Sequence, residues 1–184
     1  MACVTRGAGG GSMARAGYAR AFIGIVSAVV VLASTERPSF AAPSDGDTGL
    51  PVPRFVSLHA DRVNLRTGPG DRYPIEWVLT RKEMPVEITG QLEHWRRIRD
   101  WEGTAGWVHE RMLTGKRAVI VKGGVRQLFR QADPAAPVVA RAEPGVIGRL
   151  LECRGAWCKV EIGEVTGWMR RNDVWGVYPE ESMP

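Results

Sequence analysis

Very little in this chain suits it for covalent or metal chemistry. Only three of its 184 residues are cysteine and three are histidine. His59, His94 and His109 share no H-x-x-x-H spacing, so no histidine metal motif is present, and each is read as an exposed strand or turn residue. No cofactor motif appears, and neither a cofactor nor a metal is expected. Asp100, Glu102 and Glu110 lie near tryptophans, a grouping that glycoside hydrolysis uses. Asp100 and Glu102, however, fall in an expected hairpin turn, where acids keep a loop soluble. No catalytic residue is assigned, and the chain is not expected to be an enzyme.

A strong excess of charge is also missing. The chain carries +5, but Arg6, Arg15, Arg20 and Arg37 precede residue 42 against the single acid Glu36. The remainder holds 21 basic and 19 acidic residues, a net of +2. Nucleic-acid binders carry a stronger basic footprint, so no nucleic-acid partner is expected. Long apolar runs are absent too. The longest is the thirteen residues Ala21 to Ala33, short of the ~20 that a membrane span needs. Behind its arginines, and ahead of Ser39-Phe40-Ala41, it has the form of a secretory signal peptide over residues 1–41, cleaved after Ala41. An uncleaved anchor is the alternative, and Met13 is an alternative start. No cysteine follows the apolar run to take a lipid. The expected location is periplasmic or secreted, with no stable membrane anchor after cleavage. Residues 42–53, rich in Pro, Gly, Ser and Asp, cannot bury a core and read as a flexible linker.

What is present is a duplication. Trp95-Arg-Arg-Ile-Arg, a polar break, then Ala105-Gly-Trp-Val is echoed by Trp157-Cys-Lys-Val-Glu-Ile, a break, and Val165-Thr-Gly-Trp-Met. Trp157 follows Trp95 by 62 residues, Trp168 follows Trp107 by 61, and Leu128 follows Leu65 by 63. Such an interval marks one structural unit built twice. Phe55–Ala60, the stretch from Val63, Ile75–Thr80, Met84–Thr89 and the Trp95 hairpin read as short strands in the first copy. Arg117–Lys122, Val146–Leu151, Trp157–Ile162 and Val165–Arg170 do so in the second. Turn residues separate them and no helical period appears. Repeats of about sixty residues bury too little surface to be secure alone, so the two are expected to pack together across Thr114-Gly115-Lys116. The aromatic segment Trp175–Tyr178 is expected to fold back on the second unit. Gly106 and Gly167 lie beside large rings, where a missing side chain admits a neighbour.

Cys3 leaves with the signal, and Cys153 with Cys158 is then an even count in an exported chain. With Gly155-Ala156 as a two-residue turn, Arg154 faces Trp157 and Cys153 faces Cys158 in a non-hydrogen-bonded pair. Such pairs hold Cα atoms ~4.5 Å apart, within disulfide reach. C-x4-C is not the redox C-x-x-C, and no second ligand pair exists for zinc. A structural disulfide is expected, with two buried thiols as the alternative.

Val63-Asn-Leu-Arg-Thr-Gly-Pro-Gly70 with Tyr73-Pro74-Ile75, Trp95-Arg-Arg-Ile and Ala105-Gly-Trp-Val-His109 together resemble a bacterial SH3-like domain. The second copy matches at Trp157 and Thr166-Gly167-Trp168 but has Gln127-Leu-Phe-Arg-Gln131 in place of Asn-Leu-Arg-Thr-Gly. The resemblance implies small β-barrels of exported proteins, often attached to cell-wall hydrolases, with the usual loop kept in the first copy only.

The expected architecture is all-β: two small SH3-like barrels packed in tandem, at 54–115 and 116–178, with a tail at 179–184. Seven tryptophans invite an aromatic groove for a sugar or peptide. Trp95, Trp107, Trp157 and Trp168 are read as core or groove floor, and Trp101, in a turn between two acids, as exposed. Gly68 and Gly70 are read as allowing a tight loop with positive φ. Asn64, Arg66, Tyr73, Trp95, Trp101 and Trp107 form the candidate ligand set, with Arg96, Arg97 and Arg99 as further anion contacts. The expected function is binding to peptidoglycan, its stem peptide or a wall-acting protein. The alternatives are an adaptor in an envelope complex using Arg66 and Trp101, or a small wall hydrolase.

Overall fold

The computed structural model describes residues 48–183. The predicted signal peptide and the first half of the linker lie outside them. Among the described residues the regular structure is β-strand plus two short 3-10 turns, Glu110–Met112 and Arg171–Asp173.

The first repeat contains β1 (Arg54–Leu58), β2 (Val63–Arg66), β3 (Ile75–Leu79), β4 (Pro85–Leu92), β5 (Trp95–Arg99), β6 (Ala105–His109) and β7 (Leu113–Thr114). They form one antiparallel sheet in the order β3-β2-β6-β5-β4-β1-β7. The second contains β8 (Ala118–Val121), β9 (Arg126–Phe129), β10 (Val138–Ala142), β11 (Ile147–Arg154), β12 (Trp157–Ile162), β13 (Val165–Arg170) and β14 (Val174–Trp175). Its order, β10-β9-β13-β12-β11-β8-β14, is the same topology shifted by seven strands. The duplication seen in the tryptophans therefore extends to every strand.

Each sheet is curled around its own core, which is why residues from strands far apart in the order meet. Val56, Leu58, Val63, Leu65, Val86, Ile88, Ile98 and Val108 form one buried cluster. Val119, Val121, Leu128, Leu150, Val160 and Met169 form the other, with Cys153 and Cys158 inside it. Alternation along each strand puts these side chains on one face. Gly106 and Gly167 keep the curl tight. A Cβ on Gly106 would lie 2.6 Å from Leu65 Cγ, and one on Gly167 would lie 2.9 Å from Leu128 Cβ.

The two sheets touch. Phe55 packs edge-on against Trp175 and tilted against Tyr178, with centroids 4.9 and 4.7 Å apart. The Tyr178 hydroxyl donates to Glu87 Oε1 at 2.9 Å, and Arg81 Nη2 donates to the Gly145 carbonyl at 2.6 Å. Ile147 packs against the first core. The segment does fold back on the second repeat, where Val174 and Trp175 pair with Val121 and Ile120 and Val177 packs against the second core, and from there the Trp175 and Tyr178 rings reach Phe55 of the first. The tail is likewise secured. Met183 exchanges backbone hydrogen bonds with Cys153 at 3.0 and 3.3 Å, and Glu181 pairs with Arg117.

Cys153 and Cys158 form a disulfide with Cα atoms 4.1 Å apart. The register is Arg154 to Trp157 and Cys153 to Cys158, around Gly155-Ala156.

Candidate functional site

Strands β5 and β6 alternate in phase. Arg96 and Ile98, with Gly106 and Val108, turn inward, so Trp95, Arg97, Trp107 and His109 share the outer face. Pairing sets them in a ladder: Trp95 opposite His109, Arg97 opposite Trp107, and Arg66 of β2 opposite Trp107 from the other side. The His109 ring stands edge-on to Trp95, centroids 5.4 Å apart. Beside this ladder lies a hollow of about 400 Å³ lined by Thr89, Arg97, Arg99 and Ala105 among others. Both tryptophans are half-buried, as residues of a groove floor would be.

Of the predicted set, Asn64, Arg66, Trp95 and Trp107 come together on this outer face. Tyr73 flanks it. Its ring lies where a Cβ on Gly68 would sit, 2.4 Å from Tyr73 Cδ1. Gly68 is needed for that close approach, and it is not among the positive-φ glycines. Trp101 is not part of the face. It is half-buried and packs against the first core. Asp100 forms that turn, its Oδ1 accepting from Glu102 N at 3.0 Å and Thr104 N at 2.8 Å.

Most of the arginines expected to meet an anion are occupied internally. Arg66 Nη1 donates to the carbonyls of Asp71 and Tyr73 at 2.9 and 2.8 Å, tying the loop after β2 to the sheet. Arg99 pairs with Glu87 at 2.5 Å. Arg96 is buried, donating to Glu93 O at 2.5 Å, Trp95 O at 3.0 Å and Glu110 Oε2 at 2.5 Å. Arg97 and Arg99 are the exposed arginines of β5, and Arg99 is the one paired with Glu87. The sequence carried the signal for Arg96, which lies two residues from core Ile98 and hence on its face.

Sequence reasoning missed a polar cluster at the end of the ladder. His94 Nδ1 lies 2.8 Å from Glu110 Oε1. His94 and His109 stack with centroids 6.0 Å apart, and His109 Nδ1 accepts from Arg111 N at 3.2 Å. Burial by itself would raise the Glu110 carboxyl. The His94 hydrogen bond and the charges of Arg96, His94 and His109 outweigh it and hold the group below its usual value.

The second repeat presents an altered version of the same ladder. Trp157 faces Arg170, Lys159 faces Trp168, and Trp168 faces Phe129. Phe129 stands edge-on to Trp157 at 5.6 Å, and the Arg170 guanidinium lies 4.7 Å from the Trp157 ring centroid. Phe129 therefore occupies the place of Arg66, and Trp157 is covered by its own neighbours. Among the described residues no group of three or more His, Cys, Asp or Glu side chains is placed to hold a metal.

Two copies of one sheet, each centred on a Gly-Trp strand, are the decisive observation, and the bacterial SH3 domain model matches both, over residues 59–115 and 122–176. The chain belongs to the bacterial SH3 domain family. No curated protein matches it. Among solved structures, NlpC2 from Trichomonas vaginalis is 9% identical with a TM-score of 0.33, covering 71% of this chain and 51% of that one. NlpC1 from Trichomonas vaginalis is 10% identical with a TM-score of 0.32, covering 71% and 48%. An NlpC/P60 family protein from Bacillus cereus is 14% identical with a TM-score of 0.30, covering 71% and 58%. This tandem of bacterial SH3 domains thus spans about half the length of the structures it is similar to.

Proposed function

We propose that this protein is an exported, non-catalytic binding module acting in the periplasm on peptidoglycan, its stem peptide or a protein that works on the wall. The observation that carries the reading is the outer ladder of the first repeat. Trp95 and Trp107 lie half-buried beside an open hollow, with Arg97 and Asn64 as polar neighbours. Aromatic floors with a few placed polar groups suit sugars and peptides. The fold by itself does not dictate function, but the family membership agrees with this class of partner. Export is supported by the predicted signal peptide and by the disulfide, a bond that persists in oxidising compartments. Both described cysteines are in that bond, so neither serves as a thiol nucleophile.

The test is cosedimentation of the full chain with purified sacculi. The protein is expected in the pellet, and Trp107→Ala and Arg97→Glu are expected to return it to the supernatant. Arg97→Glu guards against misfolding, since Arg97 is exposed. Retention unchanged by both variants would remove the ladder from the account. Release of soluble muropeptides would show a hydrolase instead.

A second reading, an adaptor binding an envelope protein, is favoured by β3. This edge strand is paired on one side only, with Ile75 47% and Trp77 57% exposed. Apolar edges of this kind accept strands from partners. Arg66 and Trp101 are not the means, being engaged within the first repeat.

A further inference from the structure

Outside the ladder, the junction of the two repeats encloses a cleft of about 340 Å³. That is the size of the smaller ligand sites. Ser57, Glu83 and Lys116 reach it from the first repeat and the linker, and Ile147, Arg149 and Glu161 from the second.

Three features set this cleft apart from a gap in packing. The first is Ser57. Val56 and Leu58 point into the core, so Ser57 between them points out of the sheet, on the side where Phe55 meets the second repeat. It is fully buried, yet its hydroxyl has no hydrogen-bond partner among the described residues. A buried hydroxyl without a partner costs roughly 1–3 kcal/mol, so something polar is due there. The second is Glu83, which holds a left-handed backbone conformation with φ 63. That backbone closes the turn in which Met84 N donates to the Arg81 carbonyl at 3.3 Å, as Gly145 does with φ 82 in the second repeat, and it brings an acidic residue to the cleft where its counterpart has no side chain. The third is the balance of charge. Lys116 and Glu83 are in no ion pair among the described residues, while Arg149 and Glu161 face each other at 3.3 Å as a largely exposed pair. Such pairs are worth little and exchange partners readily. Arg117 also lines the cleft but is committed to Glu181 and the Gly176 carbonyl.

We propose that this inter-repeat cleft binds a small zwitterion, a free amino acid or the end of a short peptide. Its carboxylate meets Lys116 and Arg149, its ammonium meets Glu83 and Glu161, and its backbone polar atoms satisfy Ser57. One positive and one negative pole on each side leave no net charge to bury, which favours a ligand that is itself neutral overall. Small apolar side chains suit the Ile147 wall. The site is separate from the Trp95–Trp107 ladder and stands or falls without it.

The test is a titration of the isotopically labelled full chain with alanyl-alanine, in both chiral forms, followed by backbone amide shifts. Saturable shifts at Ser57, Glu83, Lys116 and Ile147 are expected. N-acetylation or C-amidation of the peptide should each weaken binding about tenfold or more. Lys116→Gln and Glu83→Gln should each do the same on exposed positions that leave the fold intact. Ser57→Ala should weaken binding while leaving thermal stability unchanged or raised, because an unpartnered hydroxyl has been removed. The inference is overturned if no cleft amide shifts, if capped peptides bind as well as free ones, or if the shifts map to Trp95 and Trp107. Loss of sacculus binding in the ladder variants, with the cleft titration unchanged, would separate the two sites.

Discussion

The hairpin ends of the two repeats share a backbone and differ in what pins it. In the first, Gln91 faces Arg96 across the turn Glu93-His94; in the second, Cys153 faces Cys158 across Gly155-Ala156. Glu93 and Gly155 both take φ 50. The buried Arg96 on its strand reaches Glu93 O and the Glu110 carboxylate that opens the 3-10 turn. In the second repeat the arginine has moved to the turn. Arg171, buried, donates from Nε to Gly155 O at 2.8 Å and from Nη1 to the carbonyls of Tyr178 and Glu181. The strand position it vacates holds Cys158. A guanidinium on the turn carbonyl is thus the constant, and the residue that carries it is interchangeable. The first repeat completes the pin with a carboxylate and a histidine, the second with a covalent bond and the C-terminal tail.

The largest expected effect follows from breaking the first pin. Arg96→Met removes the donor to Glu110 Oε2 and to the Glu93 carbonyl, leaving Glu110 with His94 alone of these two partners. Removing one partner of a buried pair typically costs ~3–5 kcal/mol. Glu110 keeps a third of its side chain exposed and rehydrates, so about 2–3 kcal/mol is expected by urea denaturation. The double change Gln91→Cys with Arg96→Cys copies the second repeat's solution. It should form a disulfide on oxidation and recover part of the loss relative to its own reduced form.

Breaking the second pin is expected to cost about 2 kcal/mol. That is what chain-entropy scaling assigns to so short a loop. The measurement is denaturation of a Cys153→Ala, Cys158→Ala variant against the oxidised chain. Hydrogen exchange under reductant should quicken along β11 and β12 and leave β4 and β5 unchanged.

Acid should reverse that selectivity. The native Glu110 carboxyl lies below its usual value, so its contribution is complete above about pH 4.5. It is lost as pH falls through the lowered native value. Exchange along β4 and β5 should rise in that window while the β11–β12 hairpin holds. Glu181 is also held below its usual value, against the effect of burial, by its bonds with Arg117 and the Tyr178 amide, so the tail should loosen in acid as well. The smallest effect is Tyr178→Phe, about 1 kcal/mol, because Glu87 keeps Arg99 when the hydroxyl bond is lost.

Much of this architecture was legible in the residues. Tryptophan spacing revealed the duplication, Gly155-Ala156 set the cysteine register, and Gly106 and Gly167 marked close approaches. β10 was not visible, because Val138-Val-Ala-Arg-Ala follows a Pro- and Ala-rich loop and contains residues with weak strand preference. Trp101 was misplaced because a turn residue looks solvent-exposed in sequence, and only tertiary packing shows which apolar surface it covers. Arg66 was legible as a face residue but not as a loop tie, since the carbonyls it binds belong to no side-chain pattern.

The face of the second repeat sharpens the functional reading. Phe129 and Arg170 already occupy the Trp157 ring, whereas among the described residues the ring contact to Trp95 is the edge-on one with His109, so partner binding is expected on the first repeat only. The seven indole N–H signals of the full chain report this directly when soluble muropeptides are added. Trp95 and Trp107 should shift together and saturate, with Trp101, Trp157, Trp168 and Trp175 unmoved. Shifts at Trp157 and Trp168 instead, or none at Trp95 and Trp107, would contradict the account.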